Sequence, residues 1–399
     1  MNDIFPTKTI HAGSNAPTSM PDAPTPTPDE IKGLTVDTIP AQLDLGRRPP
    51  RVSDIIDKTD TDAWMVLHDN KVVVEEYPAT GMGPTTRHLL MSVSKSVAGI
   101  IAGALVDQQK LDPAELVTHY VPELAEVGIP GSHGRGYVGA TVRNVLDMRS
   151  AIEFSEAYKI RRSEVRILEA AAGWGPPDPD HPNDPKTIKE CLCTFERDTT
   201  RQHGGDFKYR SCETTVLGWV CENASNKPYE DPYASLVSEL LWVPMGAEHD
   251  AYMTVDSVGT GMFDGSICAT LRDMARFGAL ICADGESLSG QRVVSKEWVK
   301  DILTGDPDSA KAFKGSATPT PMPGGMFRNM FWFPGSNRNV VLCIGVHGQM
   351  IYMNRATNTV GVKFSNWKEP EPEEGQPGVW KGLSALLMFE KINDHLAGR

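Results

Sequence analysis

Runs of residues able to form strands are confined to the two ends of this chain, and that distribution is its strongest constraint on fold. Near the start, residues 63–67 and 71–77 are β-branched and aromatic and flank the polar turn His68-Asp69-Asn70, the pattern of a β-hairpin. Near the end, residues 330–333, 340–346, 349–353 and 359–364 repeat that character, with turn chemistry at 354–358. Strands need partners. The two groups therefore predict one antiparallel sheet drawn from both ends of the chain and flanked by helices, with a helical lobe inserted between them: an α+β class, α/β-sandwich fold.

The helices are read from spacing and caps. Val97, Ile100, Ile101, Ala104 and Leu105 recur at helical intervals within 93–109. Thr141 is a good N-cap for 142–148. Helical character also marks 214–223, 233–241, 270–283 and 296–303, and 382–396 reads as an amphipathic helix. Pro113 starts a new element after residue 111, and the proline-rich stretch 175–185 must be a loop. Residues 1–30 carry Pro6, Pro17, Pro21, Pro24, Pro26 and Pro28 among polar residues, which predicts a disordered arm or an extended strap, with folded structure beginning near residue 40. The expected division is 40–105 with 250–399 as the α/β lobe and 106–249 as the helical lobe.

Composition narrows the partners. At 399 residues the chain can bury a sizeable core, and its 40% apolar and 23% charged content is that of an ordinary globular protein. A net charge of −13 argues against nucleic acid and anionic membrane surfaces, and no apolar run is long enough to span a bilayer. The N-terminus shows no secretory pattern, and the seven cysteines are scattered in mostly apolar context, so reduced thiols and a cytoplasmic location are expected. There is no H-E-x-x-H, and the histidines do not pair with cysteines at ligand spacing, so neither metal nor cofactor is called for. A homodimer stands as an open option.

Three features carry chemistry. Ser92-Val93-Ser94-Lys95 places a serine and a lysine on one face of a helix's first turn, so hydrogen-bond reach between them is built into the backbone. The helix N-terminus should push the amine's pKa down, as a base for serine requires. On its own the motif is weak, and an ordinary helix start with an exposed lysine fits it equally well. A second copy, Ser365-Asn366-Trp367-Lys368, ends a strand without a helix to orient it and reads as a solvated loop. Tyr209-Arg210-Ser211 can present its first and last side chains to one cleft. Gly345-Val346-His347-Gly348-Gln349 interrupts an apolar strand pair with glycines, which mark close approach of a ligand or another backbone.

In that order, S-x-x-K, Y-x-S and a glycine-rich polar strand near the C-terminus, the chain resembles the class C β-lactamase and family VIII esterase group, and within it the nylon-oligomer hydrolases. The resemblance runs from about residue 60 to the C-terminus and includes 87–96, 103–107, 120–124, 145–148, 292–295 and 345–349. It implies Ser92 as nucleophile, Lys95 as base and Tyr209 as the proton shuttle to the leaving amine. The oxyanion would rest on backbone N–H groups of Ser92 and of the strand near His347. For the substrate pocket it implies Tyr158, Trp174, Ser211 and His347, with Glu169 where the nylon enzymes hold the substrate's ammonium on an aspartate. Asp264 falls where they carry asparagine, and the 175–185 loop is longer than theirs. No G-x-S-x-G elbow occurs, which argues against an α/β-hydrolase.

The function expected is hydrolysis of small linear amides bearing a free amine, such as 6-aminohexanoate oligomers, through an acyl-enzyme. The alternative is a family VIII carboxylesterase acting on short-chain esters. A catalytically silent member of the fold is disfavoured by the intact Ser92, Lys95 and Tyr209. β-Lactam hydrolysis is disfavoured because His347-Gly348-Gln349 replaces Lys-Thr-Gly.

Overall fold

The structure, a computed structural model, describes residues 4–14, 17–37, 49–125, 135–228, 231–314, 322–370 and 380–398. Two antiparallel sheets organise it. The larger combines β2 (Thr61–His68), β3 (Lys71–Glu76), β7 (Met326–Arg328), β8 (Phe331–Phe333), β9 (Val340–Gly345), β10 (Gln349–Asn354) and β11 (Thr359–Ser365) in the order β3-β2-β11-β10-β9-β8-β7. The two ends of the chain thus meet at the β2–β11 ladder, where Val66 faces Gly361 and Met65 faces Val362. The β2–β3 hairpin closes through Asp69 and Asn70, both at positive φ (47° and 60°), the conformation that a right-twisted two-residue turn demands.

Period-two alternation explains why helices cover both faces. Ala63, Met65 and Leu67 of β2 enter one core and Trp64 and Val66 the other. The Trp380–Leu396 and Val52–Lys58 helices close the second core, where Phe389 stacks on Tyr352. The Leu271–Cys282 and Val93–Asp107 helices contribute to the first. Between β4 (His88–Leu89) and β5 (Ala251–Thr254) the described residues form no strand, only helices, turns and isolated bridges.

Several local expectations change. Folded structure does not begin near residue 40, which itself lies outside the described residues. β1 (Thr7–Ile10) pairs with β5, and β5, β6 (Ile267–Ala269) and β4 complete the second sheet, order β1-β5-β6-β4. Pro28–Gly33 is a helix with a Thr27–Glu30 capping box, and Ile10, Ile31 and Val36 are buried. Composition averaged over thirty residues conceals a four-residue strand. Met330 is not in a strand: Asn329 and Met330 take positive φ (48° and 69°) and form the turn between β7 and β8. The 233–241 helix breaks after Val237 into a wider π turn over Ser238–Trp242.

Candidate active site

The site forms where the Val93–Asp107 helix starts. Met91, just before it, holds φ at 49°, a conformation unfavourable for a side chain with a Cβ and typical of strained functional turns. The helix is pinned at its first turn: Ile267 N donates to Ser94 Oγ (3.2 Å), and Ser96 Oγ donates to Met330 O (2.7 Å). At Gly99 a Cβ would lie 2.3 Å from Asn329 O, so only glycine lets the helix seat against that turn. Ser92 and Lys95 are both buried, and Lys95 Nζ reaches Ser92 Oγ at 2.9 Å.

Lys95 Nζ also donates to Asp264 O (2.7 Å) and lies 3.6 Å from Asp264 Oδ2. Burial pushes the ammonium toward losing its proton, but Tyr209, Asp264 and Glu156 outweigh burial and hold Lys95 above the ordinary lysine value. The direction is therefore opposite to the lowering expected from the helix N-terminus, with Tyr209 the largest contributor and Asp264 and Glu156 behind it. Tyr209 is pushed up to about 12, chiefly by burial and against the pull of Lys95. Its ring lies 5.3 Å from Lys95 Nζ and stacks on Trp332, centroids 5.3 Å apart and planes 29° apart.

A small cavity of about 30 Å³ adjoins Ser92. Ser92, Tyr158, Glu169, Trp174, Ser211 and Asp264 all wall it, together with Met91, Val165, Met262, Gly265 and Val346. Tyr209 and His347 do not. Tyr209 stands beside Lys95 against Trp332. The His347 ring bonds Trp367 O through Nδ1 (2.6 Å), and the His347 main-chain N–H donates to Pro370 O (2.9 Å). Val346 is the residue of that turn that reaches the cavity. A Cβ on Gly345 would come within 2.6 Å of Leu90 O, so this glycine serves backbone-to-backbone approach.

Glu156 escaped the sequence reading. Its carboxylate accepts Ser211 N (2.9 Å), Ser211 Oγ (2.5 Å) and Tyr158 OH (2.6 Å), at the start of the Ser211–Ser225 helix, where the aligned dipoles favour an anion. The one available signal was its place two residues before Tyr158, which puts both on one side of an extended segment. Glu169, on the Glu164–Ala171 helix, pairs with Arg166 (2.5 Å). Burial raises its pKa, Arg166 opposes, and Asp264 and Glu156 add to the rise. Trp174 is fixed by Nε1–H donation to Thr254 Oγ1 (2.8 Å) and by Phe5 of the N-terminal segment, 6.0 Å between centroids. Beyond Glu169 and Trp174 the proline-rich loop encloses a larger cavity of about 440 Å³, where Arg162 pairs with Asp178 (3.3 Å) and Asp184 (2.5 Å).

In the second S-x-x-K copy Asn366 and Lys368 are exposed beyond the strand end, as a solvated loop requires, but the serine is not. Ser365 is fully buried at the end of β11, accepts from Lys363 Nζ and exchanges bonds with the Gln349 amide (3.2 and 2.7 Å). Burial pushes Lys363 down to about 7 despite Asp60 and Asp62. Ser365→Ala is expected to destabilise the fold by about 1–3 kcal/mol, since a buried polar group loses a partner. Its kcat/KM should stay within a few-fold of wild type. Denaturant melts and steady-state assays check both, and loss of turnover in a folded variant would give this serine a chemical role.

A family model for β-lactamases matches residues 52–381. The chain belongs to the β-lactamase family. It is a serine hydrolase of that family. One relative, the 6-aminohexanoate-dimer hydrolase of Paenarthrobacter ureafaciens, is 36% identical over 346 residues, covering 87% of this chain and 81% of the relative. Among solved structures, a provisionally named 6-aminohexanoate-dimer hydrolase from Bacillus anthracis aligns with a TM-score of 0.81 at 22% identity, over 100% of this chain and 92% of that one. A family VIII carboxylesterase aligns at 0.58 and 13% identity, over 84% of this chain and 95% of that one. These two show the shared fold. Among the described residues, no helix is long and apolar enough to cross a membrane, and no group of three or more His, Cys, Asp or Glu is placed to hold a metal ion.

Proposed function

We propose that this β-lactamase-family hydrolase cleaves small linear amides carrying a free amine, of the 6-aminohexanoate-oligomer kind, through an acyl-enzyme on Ser92. The observation that carries the reading is the carboxylate of Glu169 on the wall of the cavity beside Ser92, the Asp264 carboxylate on the same wall being held by Lys95. Glu156 adds a further carboxylate at its edge. The 36% identity to a protein named 6-aminohexanoate-dimer hydrolase supports the same substrate class.

In this reading Lys95, once neutral, takes the Ser92 hydroxyl proton as Oγ bonds to the carbonyl carbon. The oxyanion is held by backbone N–H groups of Ser92 and of Val346, since the His347 N–H is committed to Pro370 O. The proton passes through Tyr209 to the leaving nitrogen, and water then releases the acyl group. Glu169 receives the substrate's ammonium. Arg166 engages its Oε2, leaving Oε1 for the ligand.

Glu169→Gln tests the charge. A charge-assisted contact of about 1.5–3 kcal/mol predicts a loss of about tenfold to a hundredfold in kcat/KM toward an amine-bearing amide, and almost none toward a neutral ester of equal length. Equal losses on both would remove the ammonium site. The carboxylesterase reading would then lead.

A further inference from the structure

Asp264 lies on the cavity wall, yet both its carboxylate oxygens are engaged by the protein. Oδ1 accepts from Thr215 Oγ1 at 3.0 Å, and Oδ2 lies 3.6 Å from Lys95 Nζ. Its main-chain carbonyl takes a second Lys95 donor at 2.7 Å. The two side chains are 3% and 6% exposed, so water screens the pair little. Another Lys95 donor goes to Ser92 Oγ. At 3.6 Å the Oδ2 contact is an ion pair, and a carboxylate this close in a buried setting favours the charged form of the amine.

We propose that Asp264 is a positioning residue for Lys95 and not the receptor for a substrate cation: carboxylate and carbonyl together grip the ammonium within reach of Ser92, so the resting site holds its base charged. This rests on the assignment of Ser92 and Lys95 under Proposed function but not on the amine-bearing substrate. Catalysis then begins with Lys95 giving one proton to solvent. The neutral amine takes the Ser92 hydroxyl proton as the bond from Oγ to the carbonyl carbon forms, and Lys95 is an ammonium again beside the oxyanion. The grip fixes the geometry and restricts the fraction of enzyme able to start.

The groups around Lys95 set the sign of the pH dependence. From its own helix it meets Ser92; from the segment before the Ser211–Ser225 helix, Tyr209; from that helix, Thr215 by way of Asp264; from the loop before β6, Asp264; and from the segment before Tyr158, Glu156, with Glu169 beyond. The charged members facing it are all carboxylates. Removing one weakens the hold on the proton, so the rise of kcat/KM with pH must move to lower pH.

The test uses a neutral short-chain ester, so that substrate charge plays no part. Asp264→Asn keeps the shape and removes the charge. The ascending limb should move down by about one pH unit or more, and kcat/KM at pH 7 should rise about tenfold. Asp264→Ala should move the limb the same way, which covers failure of the first variant to fold. The wild-type protein gives an independent reading: its inactivation by a neutral fluorophosphonate should still accelerate at about pH 9. An unmoved limb in a folded neutral variant, a wild-type plateau below that pH, or a loss confined to amine-bearing substrates overturns the proposal. Failure of the amine-substrate reading appears elsewhere, as amides left uncleaved while the ester limb stays readable. Failure of the Ser92 assignment appears as turnover surviving in Ser92→Ala.

Discussion

Ser92→Ala should abolish covalent labelling by a fluorophosphonate and lower kcat/KM on the order of 10⁴-fold or more, for amide and ester alike. The size follows from what is lost. Binding and the oxyanion donors remain, but no acyl-enzyme can form, and the residual rate is that of water attacking a bound carbonyl. The substitution is mild for the fold. Ser92 makes no side-chain cap to the Val93–Asp107 helix, and its hydroxyl bonds Lys95 Nζ, which keeps its contacts to Asp264. The melting temperature should therefore change little, and that control separates lost chemistry from lost structure. Mass spectrometry of the labelled wild-type protein should find the adduct on Ser92. An adduct that persists in Ser92→Ala, on Ser94, Ser211 or Ser365, would place the nucleophile elsewhere.

What could be read before the structure was known follows the distance over which each feature is decided. The S-x-x-K pair is set within one helical turn, so its 2.9 Å contact follows from the spacing once the helix start is read. The joining of the two chain ends in one sheet was legible because β2, β3 and β8–β11 are β-rich segments separated by turn residues. β1 and β4–β7, at two to four residues each, are too short to show a period, and pairing with neighbours decides them. The state of Lys95 was misread for a related cause. Burial favours loss of its proton, but the groups that hold it come from elsewhere in the chain: Tyr209 first, then Asp264, 169 residues away, and Glu156 on another segment. Glu156 reaches Ser211 across 55 residues, and nothing local announces that contact. His347 illustrates the reverse error: its motif suggested a pocket residue, but the turn aims the ring at Trp367 O and brings Val346 to the cavity instead.

Tyr209→Phe is expected to separate the two substrate classes. The ring stacks on Trp332 and meets Phe327 edge-on, and phenylalanine keeps both contacts, so the variant should fold with a nearly unchanged melting temperature. What it loses is a hydroxyl whose proton is held up to about 12 and is therefore present throughout the neutral range. An amide nitrogen cannot leave as an anion, so its departure needs a proton delivered in the transition state, and general-acid help of this kind is worth about 10²–10⁴-fold. An ester's alkoxide leaves with far less help. The amide kcat/KM should fall by about that factor, while a matched ester should lose no more than about tenfold. Burst kinetics sharpen the comparison: with the ester, Tyr209→Phe should still acylate Ser92 rapidly, whereas with the amide acylation itself becomes slow. Equal losses on the matched pair would deny Tyr209 the leaving-group role. The proton would then have to travel directly from Lys95, which already touches Ser92 Oγ.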